Sequence, residues 1–220
     1  MTPARARRAV LETVRWLVER RLYTGTSGNV SCRVAGGFVV TPTGIPCDAL
    51  AAADMVAVAG DGSVRGTLLP SSEWRLHRDI YLRRPEVGAV VHTHSPFATA
   101  LSSLRRPIPA FHYMIAKTGG AELRCARYAT YGTDALSRNA LAALNGRRAC
   151  LLANHGVVAL GADVTAARLL AEEIELLALQ YVVARAAGSP AILGPAEMAR
   201  VAQKFAAYGQ PPPQTRTRTR

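Results

Sequence analysis

Three of the five histidines stand where imidazole can meet a metal ion. His92 and His94 are two residues apart at the end of the apolar run Ala89-Val90-Val91-His92-Thr93-His94. Side chains at i and i+2 of a strand leave the same face, so two imidazoles at that spacing converge on one point. His155 lies in Asn154-His155-Gly156, after the run Leu151-Leu152-Ala153. The glycine permits a sharp turn and the close approach of other groups. Neutral imidazole is a common zinc ligand, and a catalytic zinc site typically joins three protein ligands to an open position. A His-x-His pair alone also fits ordinary core or surface histidines. The third histidine, in a separate turn, tips the reading toward a divalent ion, zinc first. His77, one helical turn after Glu73, reads as an ordinary helical residue, and His112 as a loop residue.

Glu73 is the first carboxylate after Pro70-Ser71-Ser72, at an expected helix start. Two readings stand side by side. A carboxylate there can cap the helix and complement its dipole, or it can stand beside the ion. Ser71 and Ser72 are open in the same way, as caps or as part of an anion site formed by hydroxyls and free N–H groups at a helix N-terminus. Thr26-Ser27-Gly28-Asn29 and Thr43-Gly44 are further loops of small donors. None of these is a phosphate-binding Walker loop or a dinucleotide G-x-G-x-x-G fingerprint, so ATP and NAD are unsupported.

The elements that must hold these residues follow from periodicity and punctuation. Helices are expected over residues 3–21, 73–84, 96–104, 163–187 and 195–208. In the first, Val10, Val14 and Leu17 recur at helical spacing. Strands are expected over 30–34 and 38–41, joined by a Gly36-Gly37 hairpin, and over 54–59, 89–94, 147–153 and 157–160. There is no internal repeat and no linker long enough to separate domains. The pattern is α/β of the α+β type: a single domain with a mixed sheet and helices packed on it.

The chain of 220 residues is 49% hydrophobic and 19% charged, enough for one sizeable core. No apolar run approaches the roughly 20 residues that span a membrane. The stretch from Met1 to Arg8 lacks the apolar centre and cleavage pattern of a secretory leader, so a soluble cytoplasmic protein is expected. Cys32, Cys47, Cys125 and Cys150 form no C-x-x-C pair and read as buried thiols. The net charge is +12, and of 27 basic residues only Lys117 and Lys204 are lysines. The arginines are scattered and no nucleic-acid-binding signature accompanies them, which argues against a nucleic-acid partner. A positive field suits a phosphorylated substrate better. The domain is read as 1–209, and 210–220, with Pro211-Pro212-Pro213 and the Thr-Arg repeats, as a disordered tail.

Over residues 8–209 the chain resembles the class II aldolase/adducin-head family. The resemblance is carried by Gly25-Thr26-Ser27-Gly28-Asn29-Val30-Ser31, Thr41-Pro42-Thr43-Gly44-Ile45-Pro46, Leu69-Pro70-Ser71-Ser72-Glu73-Trp74-Arg75, Val90-Val91-His92-Thr93-His94, Ile108-Pro109-Ala110-Phe111-His112-Tyr113-Met114-Ile115, Tyr128-Ala129-Thr130-Tyr131-Gly132-Thr133 and Asn154-His155-Gly156, in that order. It implies a mostly antiparallel central sheet flanked by helices, assembled as a cyclic homotetramer with active sites at subunit interfaces. It implies one zinc, or another divalent ion, per chain on His92, His94 and His155. Glu73 would be the acid/base and a fourth ligand when substrate is absent. Gly28, Asn29, Thr43, Gly44, Ser71 and Ser72 would bind the substrate phosphate. Tyr113 would come from a neighbouring subunit, and Tyr208 is the nearest match to a C-terminal catalytic tyrosine.

The implied reaction is reversible cleavage of a ketose 1-phosphate, such as L-fuculose 1-phosphate, to dihydroxyacetone phosphate and an aldehyde such as L-lactaldehyde. Burial would raise the Glu73 carboxyl so that it serves as a base. The scaffold also carries L-ribulose-5-phosphate 4-epimerases, where aspartate typically stands in place of Glu73, methylthioribulose-phosphate dehydratases and sugar-acid-phosphate decarboxylases. The adducin head is an interaction module without the metal, which the intact His92, His94, His155 and Glu73 argue against.

Overall fold

The expected hairpin at Gly36-Gly37 sits beside the centre of the sheet. In the computed structural model, which describes residues 1–208, β1 (Asn29–Val34) pairs antiparallel with β2 (Gly37–Val40). The tail expected over 210–220 lies outside the described residues. The remaining strands are β3 (Val56–Ala59), β4 (Val64–Arg65), β5 (Ala89–Thr93), β6 (Ile108–Pro109), β7 (Glu122–Leu123), β8 (Cys125–Ala126), β9 (Ala149–Leu152) and β10 (Gly156–Gly161). Eight of them form one sheet in the order β4-β3-β2-β1-β5-β10-β9-β8, and β6 pairs with β7 separately. Every neighbour in the large sheet is antiparallel except β8 with β9.

Helices cover both faces. The helices are α1 (Pro3–Glu19), α2 (Trp74–Arg83), α3 (Pro96–Ser102), α4 (Asp134–Ala143), α5 (Val164–Ala187) and α6 (Pro195–Ala206). On one face Val10, Val14 and Leu17 of α1 and Ala167, Ala171 and Ile174 of α5 pack over Val30, Val91 and Ala159. On the other, Leu76 and Ile80 of α2 and Leu136 and Ala140 of α4 pack over Val40, Val90 and Val158. Strand β5 therefore alternates between two dry layers, which is why Ala89-Val90-Val91 is apolar throughout and gives no polar-apolar alternation. Thr2 caps α1 ahead of Pro3, and the Asp163 carboxylate caps α5 by accepting from the Ala166 N–H at 2.8 Å.

The expected elements are present with ends shifted by a few residues, the helices and β3, β5 and β9 shorter, β1 and β10 longer. Asp54 belongs to a 3-10 turn, Ala52–Asp54, and its strand begins at Val56. His94 falls just past the end of β5. The sequence pattern does not anticipate helix α4, nor β4, β6, β7 and β8, each two residues long and too short to display a period.

Helix α2 matters most to the histidine cluster, because Glu73 precedes it. Its C-terminal end is tied to β1 by Arg33, whose guanidinium donates to the carbonyls of Val87 (2.7 Å), Tyr81 (2.9 Å) and Arg84 (2.8 Å). The Tyr81 and Arg84 carbonyls are among the unsatisfied acceptors that a helix end leaves. Its middle is seated by Ile80, fully buried against the sheet. Replacing a buried isoleucine with alanine removes its transfer energy and leaves a cavity, about 2–5 kcal/mol. Ile80→Ala is therefore expected to lower the urea midpoint by a corresponding amount. A change under about 0.5 kcal/mol would mean that α2 is held by other contacts.

Candidate metal and substrate site

Register brings the histidines together. Asn29 of β1 lies opposite His92 of β5, and His92 lies opposite Val158 of β10. His155 precedes β10 by one residue, so it faces the end of β5 where His92 and His94 emerge. The turn into β10 is made by Asn154, which holds a left-handed φ of 54°. Asn tolerates that conformation better than most residues. Its amide N–H donates to the Ser102 carbonyl (3.2 Å), and its side-chain oxygen accepts from the Arg105 guanidinium (2.6 Å). The His155 N–H donates to the Leu152 carbonyl (3.0 Å).

Gly156 thus supplies space and not the sharp bend expected of it. A Cβ there would stand 2.4 Å from the Thr93 carbonyl, 3.1 Å from His94 and 3.3 Å from His92.

Three imidazoles meet at this point. One ring nitrogen from each of His92, His94 and His155 lies within 4.8 Å of the others. The rings stand edge to face, with centroids 4.8–4.9 Å apart. His92 is fully buried, and its Nδ1–H donates to the Val157 carbonyl at 2.9 Å. That bond leaves Nε2 bare and turned toward His94 Nε2, 3.0 Å away. A backbone carbonyl fixing one nitrogen so that the other can ligate is a usual support of metal-binding histidine.

Glu73 joins the group. Its carboxylate makes no capping bond to α2. Oε2 lies 3.1 Å from His92 Nε2 and accepts from the Asn29 amide at 2.9 Å, and Oε1 lies 3.5 Å from His155 Nε2. Ser71 does the capping instead, its Oγ accepting from the Glu73 N–H at 3.3 Å. The two readings of Glu73 are thereby separated: the side chain points into the histidine cluster and not along its helix.

Charge in the cluster is strongly coupled. Burial favours the neutral acid at Glu73, yet the His92 and His155 rings and the Asn29 amide outweigh it and hold the carboxyl well below the usual carboxylate range. The upward shift expected from desolvation is therefore overturned by the neighbouring rings and the Asn29 amide. Burial first, then the charge of His92, pushes His94 and His155 down to about 4. Both rings are neutral near pH 7 and keep a lone pair. At His92 burial works against the proton, but Glu73 outweighs it and raises the ring.

The residues present fit a divalent cation. Three imidazoles and one carboxylate are the hard-to-borderline donors that zinc and its neighbours take. Glu73 Oε1 is buried without a hydrogen-bond partner, so a lone pair of a charged group is aimed into the cluster.

The expected phosphate residues converge beside it. Gly28, Asn29, Thr43, Gly44, Ser71 and Ser72 line one cavity of about 400 Å³ together with Glu73, His94 and His155. The loops are laced by backbone bonds: the Ser71 N–H donates to the Thr41 carbonyl (2.9 Å), and the Thr43 N–H to the Leu69 carbonyl (3.1 Å). Gly28, at φ 103°, lets its loop pass the His92 carbonyl, which a Cβ would approach to 2.7 Å. The Asn29 side chain is engaged on both sides, its amide donating to Glu73 and its carbonyl accepting from His77.

Tyr113 and Tyr208 stand elsewhere. Both are exposed, at 48% and 85%. They line a second groove with Phe205 between them, 6.1 Å from Tyr113 and 6.4 Å from Tyr208 by ring centroids. Two tyrosines to which the sequence reading assigns no role, Tyr128 and Tyr131, line the site cavity instead. The motif Tyr128-Ala129-Thr130-Tyr131-Gly132-Thr133 is the only signal for them.

A family model described as Class II Aldolase and Adducin N-terminal domain matches residues 8–182. A 5-methylthioribulose-1-phosphate/5-deoxyribulose-1-phosphate aldolase of Rhodospirillum rubrum is 49% identical over 203 residues, 92% of each chain. An L-fuculose phosphate aldolase of Escherichia coli is 44% identical over 92% of this chain and 94% of its own. Among solved structures, an L-fuculose 1-phosphate aldolase superposes with a TM-score of 0.88 at 40% identity, covering 91% of this chain and 96% of its own.

His92→Ala is expected to abolish stoichiometric binding of a divalent ion, read by metal analysis after dialysis. Gly156→Ala should reduce it at least tenfold while the far-ultraviolet circular dichroism stays the same, since the added methyl displaces two imidazoles. Wild-type metal content in His92→Ala would remove the three-histidine site.

Proposed function

The chain belongs to the class II aldolase and adducin N-terminal domain family, and from that premise we propose that this aldehyde-lyase reversibly cleaves a ketose 1-phosphate between C3 and C4, releasing dihydroxyacetone phosphate and a short aldehyde. The observation that carries the reading is the meeting of His92, His94, His155 and Glu73 at one wall of a cavity whose other walls are the small-donor loops. Cleavage leaves negative charge on the three-carbon fragment, and that charge needs an electrophile. A divalent ion on the three histidines, zinc in this reading and one per chain, would supply Lewis-acid stabilisation worth several kcal/mol.

The chain's own groups do the rest. Glu73 exchanges a proton with C3 of the fragment through Oε1, the carboxylate oxygen that has no hydrogen-bond partner. Ser71, Ser72, Thr43, Gly44, Gly28 and Asn29 hold the phosphate by hydroxyls and N–H groups of the loops that line the cavity with the start of α2. Remote binding of the phosphate fixes the reacting carbon against Glu73 and turns binding energy into orientation. Tyr113 and Tyr208, exposed on a separate groove, serve the site of a neighbouring copy in a homotetramer, where a phenol handles the proton on the aldehyde oxygen. A cytoplasmic setting suits a phosphorylated substrate. No helix among the described residues is long and apolar enough to cross a membrane.

Three substrates are suggested by the relatives: L-fuculose 1-phosphate, 5-deoxyribulose 1-phosphate and 5-methylthioribulose 1-phosphate. All share the phosphorylated three-carbon end and differ only in the aldehyde. We expect the metal-loaded enzyme to release dihydroxyacetone phosphate from at least one of them in a coupled assay. Glu73→Gln should keep its metal and lose at least about 100-fold in turnover, the usual scale for a removed acid/base. An epimer as the sole product from a ketose 5-phosphate, with no dihydroxyacetone phosphate from any ketose 1-phosphate, would overturn the aldolase reading. Wild-type turnover in Glu73→Gln would remove Glu73 from that role.

A further inference from the structure

Beneath Glu73 runs a buried chain of polar groups, of which His77, Ser31 and Tyr81 have no part in the proposed reaction. Its order is Glu73, Asn29, His77, Ser31, Tyr81. Asn29 Nδ2 lies 2.9 Å from Glu73 Oε2, His77 Nε2 2.5 Å from Asn29 Oδ1, Ser31 Oγ 2.6 Å from His77 Nδ1 and Tyr81 OH 2.7 Å from Ser31 Oγ. Asn29, Ser31, His77 and Tyr81 are all buried, none of them more than 5% exposed, and His77 is wholly enclosed. The placement is built from two periods. Asn29 and Ser31 are i and i+2 on β1, and Glu73, His77 and Tyr81 succeed one another at i+4 along α2.

The direction of every proton in the chain is set by its end. An ionised carboxylate only accepts, so Asn29 must present its NH2 to Glu73 and its carbonyl to His77. A carbonyl only accepts, so His77 must carry its proton on Nε2. The neutral ring then has a bare Nδ1, which accepts from Ser31, and Ser31 in turn accepts from Tyr81. Burial keeps the ring neutral, lowering it to about 3. All four donors point toward Glu73, and aligned bonds polarise one another in a dry interior.

We propose that His77 is a positioning residue for Glu73: its Nε2–H locks the Asn29 amide, and the amide pins Oε2 so that Oε1 alone is left to exchange a proton with substrate. The inference rests on Glu73 being the acid/base. Without the Nε2–H donor, the Asn29 carbonyl loses its anchor and the amide is free to swing off Oε2, so the pin loosens. His77 touches neither the substrate cavity nor the three histidines, so it acts on proton transfer and leaves phosphate binding alone.

The test uses the metal-loaded protein and dihydroxyacetone phosphate alone, following exchange of the C3 proton in D2O. His77→Leu is expected to slow exchange about 10- to 100-fold, the scale of a lost supporting hydrogen bond. Its KM for dihydroxyacetone phosphate and its metal content should stay within about twofold of wild type. His77→Gln, whose amide can donate to Asn29, should recover most of the rate. In wild-type protein labelled with 15N-histidine, the His77 ring should show a protonated Nε2 and a bare Nδ1.

An Nδ1–H ring, unchanged exchange in a folded His77→Leu, or a loss in KM instead of rate would overturn the proposal. The ring spectrum decides the matter even if His77→Leu does not fold. Full exchange in Glu73→Gln would instead strike down the acid/base reading, an outcome distinct from any His77 result.

Discussion

The structure depends on holding three imidazoles and a carboxylate against one another at the inner wall of a cavity. His92 is fully buried and Glu73 nearly so, and their ring nitrogen and carboxylate oxygen are 3.1 Å apart. Such a cluster is costly to desolvate unless its charges are matched and its remaining polar atoms are bonded. The surrounding fold reads as a set of answers to that cost. The Val157 carbonyl takes the far side of His92, the Asn29 amide takes Oε2, and Arg33 ties the helix that carries Glu73 back to the sheet. Rigidity comes from β5, paired on both edges and packed on both faces.

The same constraint explains where the irregular backbone sits. His92 can be on a strand because its position in the ladder fixes it. His94 and His155 must reach inward from the ends of two strands, so each sits at a break. For His155 that break is the left-handed Asn154, fastened through Ser102 and Arg105. Gly28 and Gly156 are small for a shared reason: each passes within van der Waals distance of the strand that bears His92. Local strain and missing side chains thus gather at the site, as expected where function and packing compete.

Much of this is legible in the sequence, and the limits have physical causes. The His-x-His spacing announces two ligands on one face, and the apolar run before them announces a buried strand. The third histidine can be seen but not located, because only pairing of β10 with β5 brings it near. Glu73 stays ambiguous because a helix cap and a metal-side carboxylate occupy the same position in a sequence, and only the side-chain direction separates them. The direction of its pKa shift is misjudged because burial is visible from the sequence while the Asn29 amide and the His92 ring are not. His77 reads as an ordinary helical residue, although its i+4 relation to Glu73 and Tyr81 is plain in the sequence. The partner face, Asn29 and Ser31 on β1, becomes relevant only once α2 is laid across that strand. Helix α4 escapes notice because its buried face, Leu136, Ser137, Ala140 and Ala143, has only one strongly apolar residue.

The net charge of +12 then takes on a narrower meaning. No lysine or arginine lines the site cavity among the described residues; its donors are hydroxyls, backbone N–H groups and the start of α2. A fixed cation there would pair with Glu73 and repel a divalent ion in a cavity of only about 400 Å³. Neutral dipoles can hold a phosphate dianion without competing for the carboxylate, since they bring no charge of their own. Among the described residues the arginines lie outside the cavity lining, Arg105 among them bonded to the lining residue Asn154, and their positive field would raise the local concentration of an anionic substrate without entering the chemistry. Long-range attraction and short-range neutrality are separate requirements, and the distribution of charge along this chain meets them separately.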